Sequence, residues 1–245
     1  MRDRPTWLIG LSLAIGAAWA SSDAAEAQTS HPWQRADKQS AAVRASVFIE
    51  APLPLDEIPA AARAKVRSVL DRPSLSARGQ PEVFNGDPTL YKWFLDHPDR
   101  AALAWKRLGA KVADVSNRGN GVFGWSDAQG SDIRWETVYR SPRMQVWHAE
   151  GKVRPGALLP LAPVQAVVVL RYSESRDSDG QPLLRHQAEL FLRTDSKAAS
   201  LAARLFGASA PRLAEQYVSQ VEMFFSALSW YLDQHPDKAE KLLGQ

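Results

Sequence analysis

The sequence predicts an α+β fold, a curved antiparallel sheet packed against a long C-terminal amphipathic helix in a helix-grip-like arrangement, and three observations carry that expectation. From residue 111 the apolar period changes from about 3.6 to about 2 and holds for about 80 residues, the signature of a meander of half-buried strands. Over residues 211–233 the helical period returns, with Leu213, Tyr217, Val221, Phe224, Leu228 and Tyr231 stepping by three or four. Such a stripe must lie on something broad and apolar, and a sheet is its natural partner. The third observation is size. A chain of 245 residues, 45% of them hydrophobic, buries roughly 70% of its unfolded surface and sustains one core without disulfides.

The elements follow in order. Residues 43–50 (VRASVFIE) read as a first strand, stopped by Pro52 and Pro54. Residues 56–70 read as a helix capped by Asp56, with Pro59 in the first turn and Ala62, Val66, Val69 and Leu70 on one face. Pro73 ends it, and residues 74–86 read as a loop. Two short helices follow at 88–95 and 98–108, the second closed by Gly109. The meander then runs through 121–126, 131–140, 143–150, 164–172 and 183–194. In its second strand Ile133, Trp135, Thr137 and Tyr139 alternate with Asp132, Arg134, Glu136 and Arg140, so one face should cover a core and the other meet water. Residues 127–130, 141–142 and 175–181 carry turn chemistry. An Ala-rich helix at 196–206 closes on Gly207. In the last helix Phe225 and Leu232 widen the apolar stripe, while Arg212, Glu215, Ser219, Glu222 and Ser226 lie elsewhere on the wheel.

Residues 1–27 read as a cleavable secretory signal peptide. Arg2 and Arg4 supply a basic start, residues 8–20 are an uncharged run of 13, and Ala18-Trp19-Ala20 and Ala25-Glu26-Ala27 both offer the small-x-small pattern of a cleavage site. That run is short of the roughly 20 apolar residues a permanent membrane helix needs. The expected product starts after Ala20 or Ala27 and is exported to the periplasm or beyond the cell, retention as an N-terminal anchor being the alternative. Residues 28–42 read as a flexible polar lead-in and 43–245 as one domain. The absence of cysteine excludes a lipid-modified cysteine, a disulfide framework, a thiolate nucleophile and a cysteine zinc site. Losing Arg2 and Arg4 against Asp3, Asp23 and Glu26 moves the net charge from +3 to +4. That excess is spread along the chain, which is not the footprint of a nucleic-acid-binding protein.

In element order the chain resembles the START-like superfamily, whose helix-grip arrangement wraps a curved sheet around a C-terminal helix. VRASVFIEAP at the start and PRLAEQYVSQVEMFFSALSWYL at the end carry the resemblance, which spans about residues 43–233. The chain departs from the pattern in the long stretch 51–120 and in showing no obvious initial hairpin. The resemblance implies a cavity for an apolar ligand between sheet and helix, without naming the ligand; the superfamily also contains enzymes and interaction modules.

Few residues announce chemistry. Gly119-Asn-Gly-Val-Phe-Gly124 matches the glycine-rich dinucleotide fingerprint, but strand and turn residues follow it where a helix is required, so it reads as a tight turn at Asn120-Gly121 and no nucleotide is expected. His97-Pro98-Asp99 and His235-Pro236-Asp237 read as helix boundaries. His148 alternates with Met144, Val146 and Glu150, and His186 with Leu184, Ala188, Leu190 and Leu192. Both histidines could face the sheet interior and, with Glu150, hold a metal or act as an acid/base set; one-partner core histidines are the plainer reading. No G-x-S-x-G and no H-E-x-x-H occurs, and Asp177 and Asp179 fall in a sequence that reads as a hairpin turn, SRDSDGQ. Of the seven tryptophans after residue 27, three fall in the meander and one in the last helix, where they fill a core or line a cavity.

The leading expectation is an exported envelope protein that binds an apolar or amphipathic small molecule, a lipid among the candidates, without a cofactor. Trp135, Tyr139, Phe224 and Leu228 would line its cavity, with His148, Glu150 and His186 as polar contacts. The alternative is a non-catalytic structural or interaction protein with a solid core and an envelope protein partner. A third reading is a hydrolase- or cyclase-like enzyme using the two histidines and Glu150.

Overall fold

The computed structural model describes residues 52–154, 160–194 and 210–244. The signal peptide expected at 1–27, the lead-in expected at 28–42, the strand expected at 43–50 and the helix expected at 196–206 lie outside the described residues.

A single 3-10 turn, Leu55–Glu57, leads into α1 (Ala60–Leu70). Asp56 sits in that turn and does not cap the helix; Pro59 immediately precedes α1, where a missing N–H is no loss. Arg63 closes the junction, its guanidinium donating to the Asp56 carbonyl at 2.7 Å and to that of Ile58 at 3.0 and 3.1 Å. Val66 and Val69 are fully buried, as the periodicity requires.

Residues 74–86 are not a plain loop. They hold two four-residue strands, β1 (Leu75–Arg78) and β2 (Glu82–Asn85). Four residues show too little period to be legible, and the partner that makes them strands lies far along the chain. Next come α2 (Pro88–Asp96) and α3 (Pro98–Arg107). Asp87 caps α2, its carboxylate accepting from the Thr89 amide at 2.7 Å. Asp87→Ala is expected to cost about 1 kcal/mol, read as a lower urea midpoint at unchanged slope; an unmoved midpoint would show the cap to be idle.

The sheet comprises β1 and β2 with β3 (Ser116–Asn117), β4 (Val122–Ser126), β5 (Asp132–Ser141), β6 (Met144–Val153), β7 (Ala162–Arg176) and β8 (Pro182–Arg193). Its order is β1-β8-β7-β6-β5-β4-β3, with β2 also pairing β8, every pairing antiparallel and the sheet open. Gly119, Asn120 and Gly121 have φ of +85°, +53° and +73°, so the glycine-rich segment is the tight turn between β3 and β4 and runs into a strand, not a helix. Asp127 and Asp177 build the same turn twice, each carboxylate accepting from amides two and four residues on.

The long helix α4 (Ala210–Gln234) is followed by α5 (Ala239–Leu243). Both histidine boundaries are real, and they are built alike. His97 stacks on Trp93 and His235 on Tyr231, centroids 4.5 Å apart in each case, and each ring nitrogen Nδ1 meets the carbonyl of the same aromatic residue. Backbone at both histidines leaves the helical region, and the following proline starts a new helical turn.

The sheet has two covered faces. One carries the large core, where α2, α3, α4 and α5 lie over β1, β2 and the meander. The other carries a smaller cluster in which α1 and Ile58 cover Val138, Met144, Val146, Val167 and Val169. Among the described side chains of α4, the buried stripe is Ala214, Val218, Val221, Phe225, Leu228 and Leu232, with Tyr217 and Tyr231 half-buried at its edge. Glu222 and Ser226, expected on a polar side, are buried as well, because β1, β2 and α2 cover α4 beyond its sheet-facing stripe.

Candidate functional site

The residues expected to line a cavity fall on different sides of the sheet. Trp135, Phe224 and Leu228 share the α4 face at 2%, 5% and 0% exposure. Around them Trp147 stacks on Phe225 at 6.3 Å and 9°, Phe224 meets Phe225 edge-on at 5.0 Å, and Trp135 lies 6.2 Å from Phe123. These ring contacts bring β4, β5, β6 and α4 together on the α4 face. Tyr139 is not with them. A bulge at Val138 shifts the register of β5 against β6, so Thr137 pairs with Trp147 and Tyr139 with Val146. The ring packs against the α1-side cluster, and its hydroxyl donates to Glu57 at 3.1 Å.

The two interior histidines also separate. His186 is on the α4 face and His148, with Glu150, on the α1 face, so no single acid/base or metal set contains all three; among the described residues no group of three or more metal-ligating side chains occurs.

His186 belongs to a buried chain of polar groups. The Tyr91 hydroxyl meets its Nδ1 at 2.8 Å, its Nε2 lies 3.2 Å from Glu82, and Ser226 donates to the same Glu82 oxygen at 2.8 Å. The order tyrosine, histidine, carboxylate is that of an activated nucleophile. Here Tyr91 and His186 have no exposed surface, the Glu82 side chain is 21% exposed, and burial pushes the phenol well above its ordinary pKa. The chain instead ties α2, β8, β2 and α4 together. Beside it, Glu222 reaches from α4 to accept the Ala188 amide of β8. That amide lies between the stretches of β8 paired to β1 and to β2, where the carboxyl stands in for a strand. Burial raises its pKa to about 9, with the amide opposing and Glu82 adding, so the group is neutral at pH 7.

Among the described residues, the α1 face is covered only in part. Beyond α1, β4, β5 and β6 present Gly124, Asp132, Arg134, Glu136, Glu150 and Lys152. Lys65 of α1 reaches Glu150 at 3.4 Å, and Arg134 donates to the same oxygen through Nε at 3.1 Å and Nη2 at 2.5 Å. Burial alone would raise the Glu150 pKa, but Arg134 and Lys65 outweigh it and hold the carboxyl below its ordinary value. Arg118 pairs with Asp132 across Gly124, where a Cβ would fall 2.0 Å from the guanidinium Nε.

Between Lys65 and the strands is a cavity of about 220 Å³ walled by Arg134, Glu136, His148 and Glu150. His148 is 1% exposed and its Nε2 is buried without a hydrogen-bond partner. Burial pushes its pKa down, Glu150 opposing and Lys65 assisting, so the imidazole is neutral at pH 7. Arg134 and Glu150 also wall a larger open groove of about 730 Å³, which continues past Asp132 and Lys152 to Gln165 and Arg193. A cavity with one orphaned imidazole and a charged mouth is equipped to bind a polar molecule. Of its residues the sequence pointed to His148, Glu150 and Trp135, which borders the cavity from β5. It missed Lys65, on another element, and treated Arg134 and Glu136 as water-facing; their two-residue alternation opposite His148 and Glu150 was the available signal.

No protein-family model matches the chain, and no curated protein matches it. Among solved structures it is similar to a conserved protein from Geobacillus kaustophilus, at 12% identity over 62% of this chain and 96% of that one, with a TM-score of 0.41. It is similar also to a hypothetical protein from Helicobacter pylori, at 10% identity over 64% of this chain and 89% of the other, with a TM-score of 0.39.

Proposed function

We propose that this protein is a binding module for a small polar organic molecule, held on the polar half of the α1 face, which no described element covers, and not between the sheet and α4. The observation that supports this reading is His148, buried with an unpartnered Nε2 in the wall of a cavity that shares Arg134 and Glu150 with a larger charged groove. The aromatic packing of Trp147, Phe224 and Phe225 weighs against an apolar ligand under the helix. The export signal read at residues 1–27 would put the module to work in the cell envelope.

Two-dimensional NMR of the full chain against a library of organic acids, phosphates, polyols and fatty acids tests the proposal. Ligands are expected to perturb Arg134, Glu150 and Gly151, and Arg134→Ala to weaken them about ten-fold by removing a charged hydrogen-bond donor. Responses confined to Phe225 and Leu228 with fatty acids would return the site to the helix side, and no response from any class would end the binding reading.

A further inference from the structure

The two ends of this site differ in chemistry. Along the groove four cations, Arg118, Arg134, Lys152 and Arg193, face two carboxylates, Asp132 and Glu150. Arg118 is matched by Asp132 and Arg134 by Glu150, while Lys152 is exposed and has no ion-pair partner among the described residues. Lys152 therefore leaves positive charge to spare in the groove. In the cavity, Lys65 and Arg134 balance Glu136 and Glu150. The groups left to recognise a ligand there are His148 Nε2 and the Glu136 carboxylate, on directly opposed residues of β6 and β5.

An anion pushed to the cavity end would meet Glu136, and an apolar group would leave both Glu136 and the imidazole unsatisfied. A hydroxyl satisfies them together. It donates to the carboxylate and accepts from Nε2–H, or donates to Nε2 in the other tautomer. A phosphate monoester carries a charge near −2, which suits the excess in the groove.

Resting on the binding reading above, we propose that the ligand is a hydroxylated phosphate ester, its phosphate beside Lys152 and Arg134 in the groove and a hydroxyl in the cavity between His148 and Glu136. The shared chemistry is found in a soluble polyol phosphate and in the headgroup of a polyol phospholipid.

The test uses the full chain, with inorganic phosphate, glycerol, glycerol 3-phosphate and phosphatidylglycerol vesicles as separate probes. Glycerol 3-phosphate is expected to bind about ten-fold tighter than inorganic phosphate, the value of one added hydrogen bond to a charged or buried partner, and to shift the ring nitrogens of His148. His148→Ala should erase that preference, while Lys152→Ala should weaken binding of both ligands. The ring-nitrogen shift needs no variant and decides the matter even where His148→Ala folds poorly. Binding of vesicles with free glycerol 3-phosphate silent would support the proposal and assign the lipid headgroup as the source. Equal affinity for phosphate and glycerol 3-phosphate with His148 unmoved would overturn the hydroxyl assignment and leave the binding reading standing. Silence toward every probe would overturn the phosphate-ester proposal, while a response to organic acids in the wider library would keep the binding reading standing.

Discussion

Gly151→Ala is expected to destabilise the fold by about 3 kcal/mol, a fall in Tm of about 6–12 °C for a domain of this size. Gly151 is in the interior of β6, opposite Ile133 of β5 and Val164 of β7. A Cβ there would fall 2.1 Å from the Asp132 carbonyl oxygen and 2.9 Å from the Ile133 Cα. These obstacles are backbone atoms, so no side chain can swing aside and β5 itself must move. Overpacking of this kind costs about 1–3 kcal/mol, and each ladder hydrogen bond strained near Asp132 adds about 1 kcal/mol. Because Asp132, Arg134 and Glu150 flank this position, the variant should also lose the groove. Thermal unfolding of the full chain checks the prediction, and a shift smaller than about 2 °C would show that the two strands tolerate separation.

Raising the pH from 5 to 9 is expected to remove several kcal/mol of stability through Glu222 alone. Its folded pKa is raised from 4.5 to about 9 by burial, so folding favours the protonated form. The contribution is fully present below about pH 4.5 and lost as the pH rises towards 9, at up to about 1.4 kcal/mol per unit and about 6 kcal/mol as an upper bound over the window. Relaxation of α4 or entry of water would reduce it. Glu222→Gln keeps an acceptor for the Ala188 amide and removes the titration. Its stability should stay nearly flat over the window and exceed that of the unaltered chain at pH 9. Parallel profiles for the two proteins in urea titrations would sink the assignment. Gly79 completes the arrangement, since a Cβ there would lie 2.1 Å from the Glu222 Oε2.

Much of the candidate site was invisible one strand at a time. Alternation in β5 correctly set Ile133 and Trp135 against Arg134 and Glu136, and alternation in β6 set His148 with Glu150. Which parity faced which layer was a different matter, because both faces of this sheet are partly buried. A buried His148 and a buried His186 therefore look alike in sequence while lying on opposite faces. The bulge at Val138 added a second ambiguity by moving Tyr139 across the sheet after a perfect run of alternation. Nothing in the local sequence marks Lys65 as a partner of Glu150, since the two are separated by 85 residues.

By itself the sequence determined the class of the fold, the five meander strands, the two histidine–proline helix stops, the turn at Asn120-Gly121 and the position of the long last helix. All of these rest on local period or local turn chemistry, which a short window contains. Only the tertiary structure decided that residues 75–78 and 82–85 are strands, that Glu222 is a buried neutral acid, and that the polar half of the α1 face encloses a cavity. Those features depend on partners distant in the chain: β8 for the short strands, the amide of Ala188 for Glu222, and α1 for His148 and Glu150. Charge and burial at a position are set by what packs over it, and that is not written in the residues beside it.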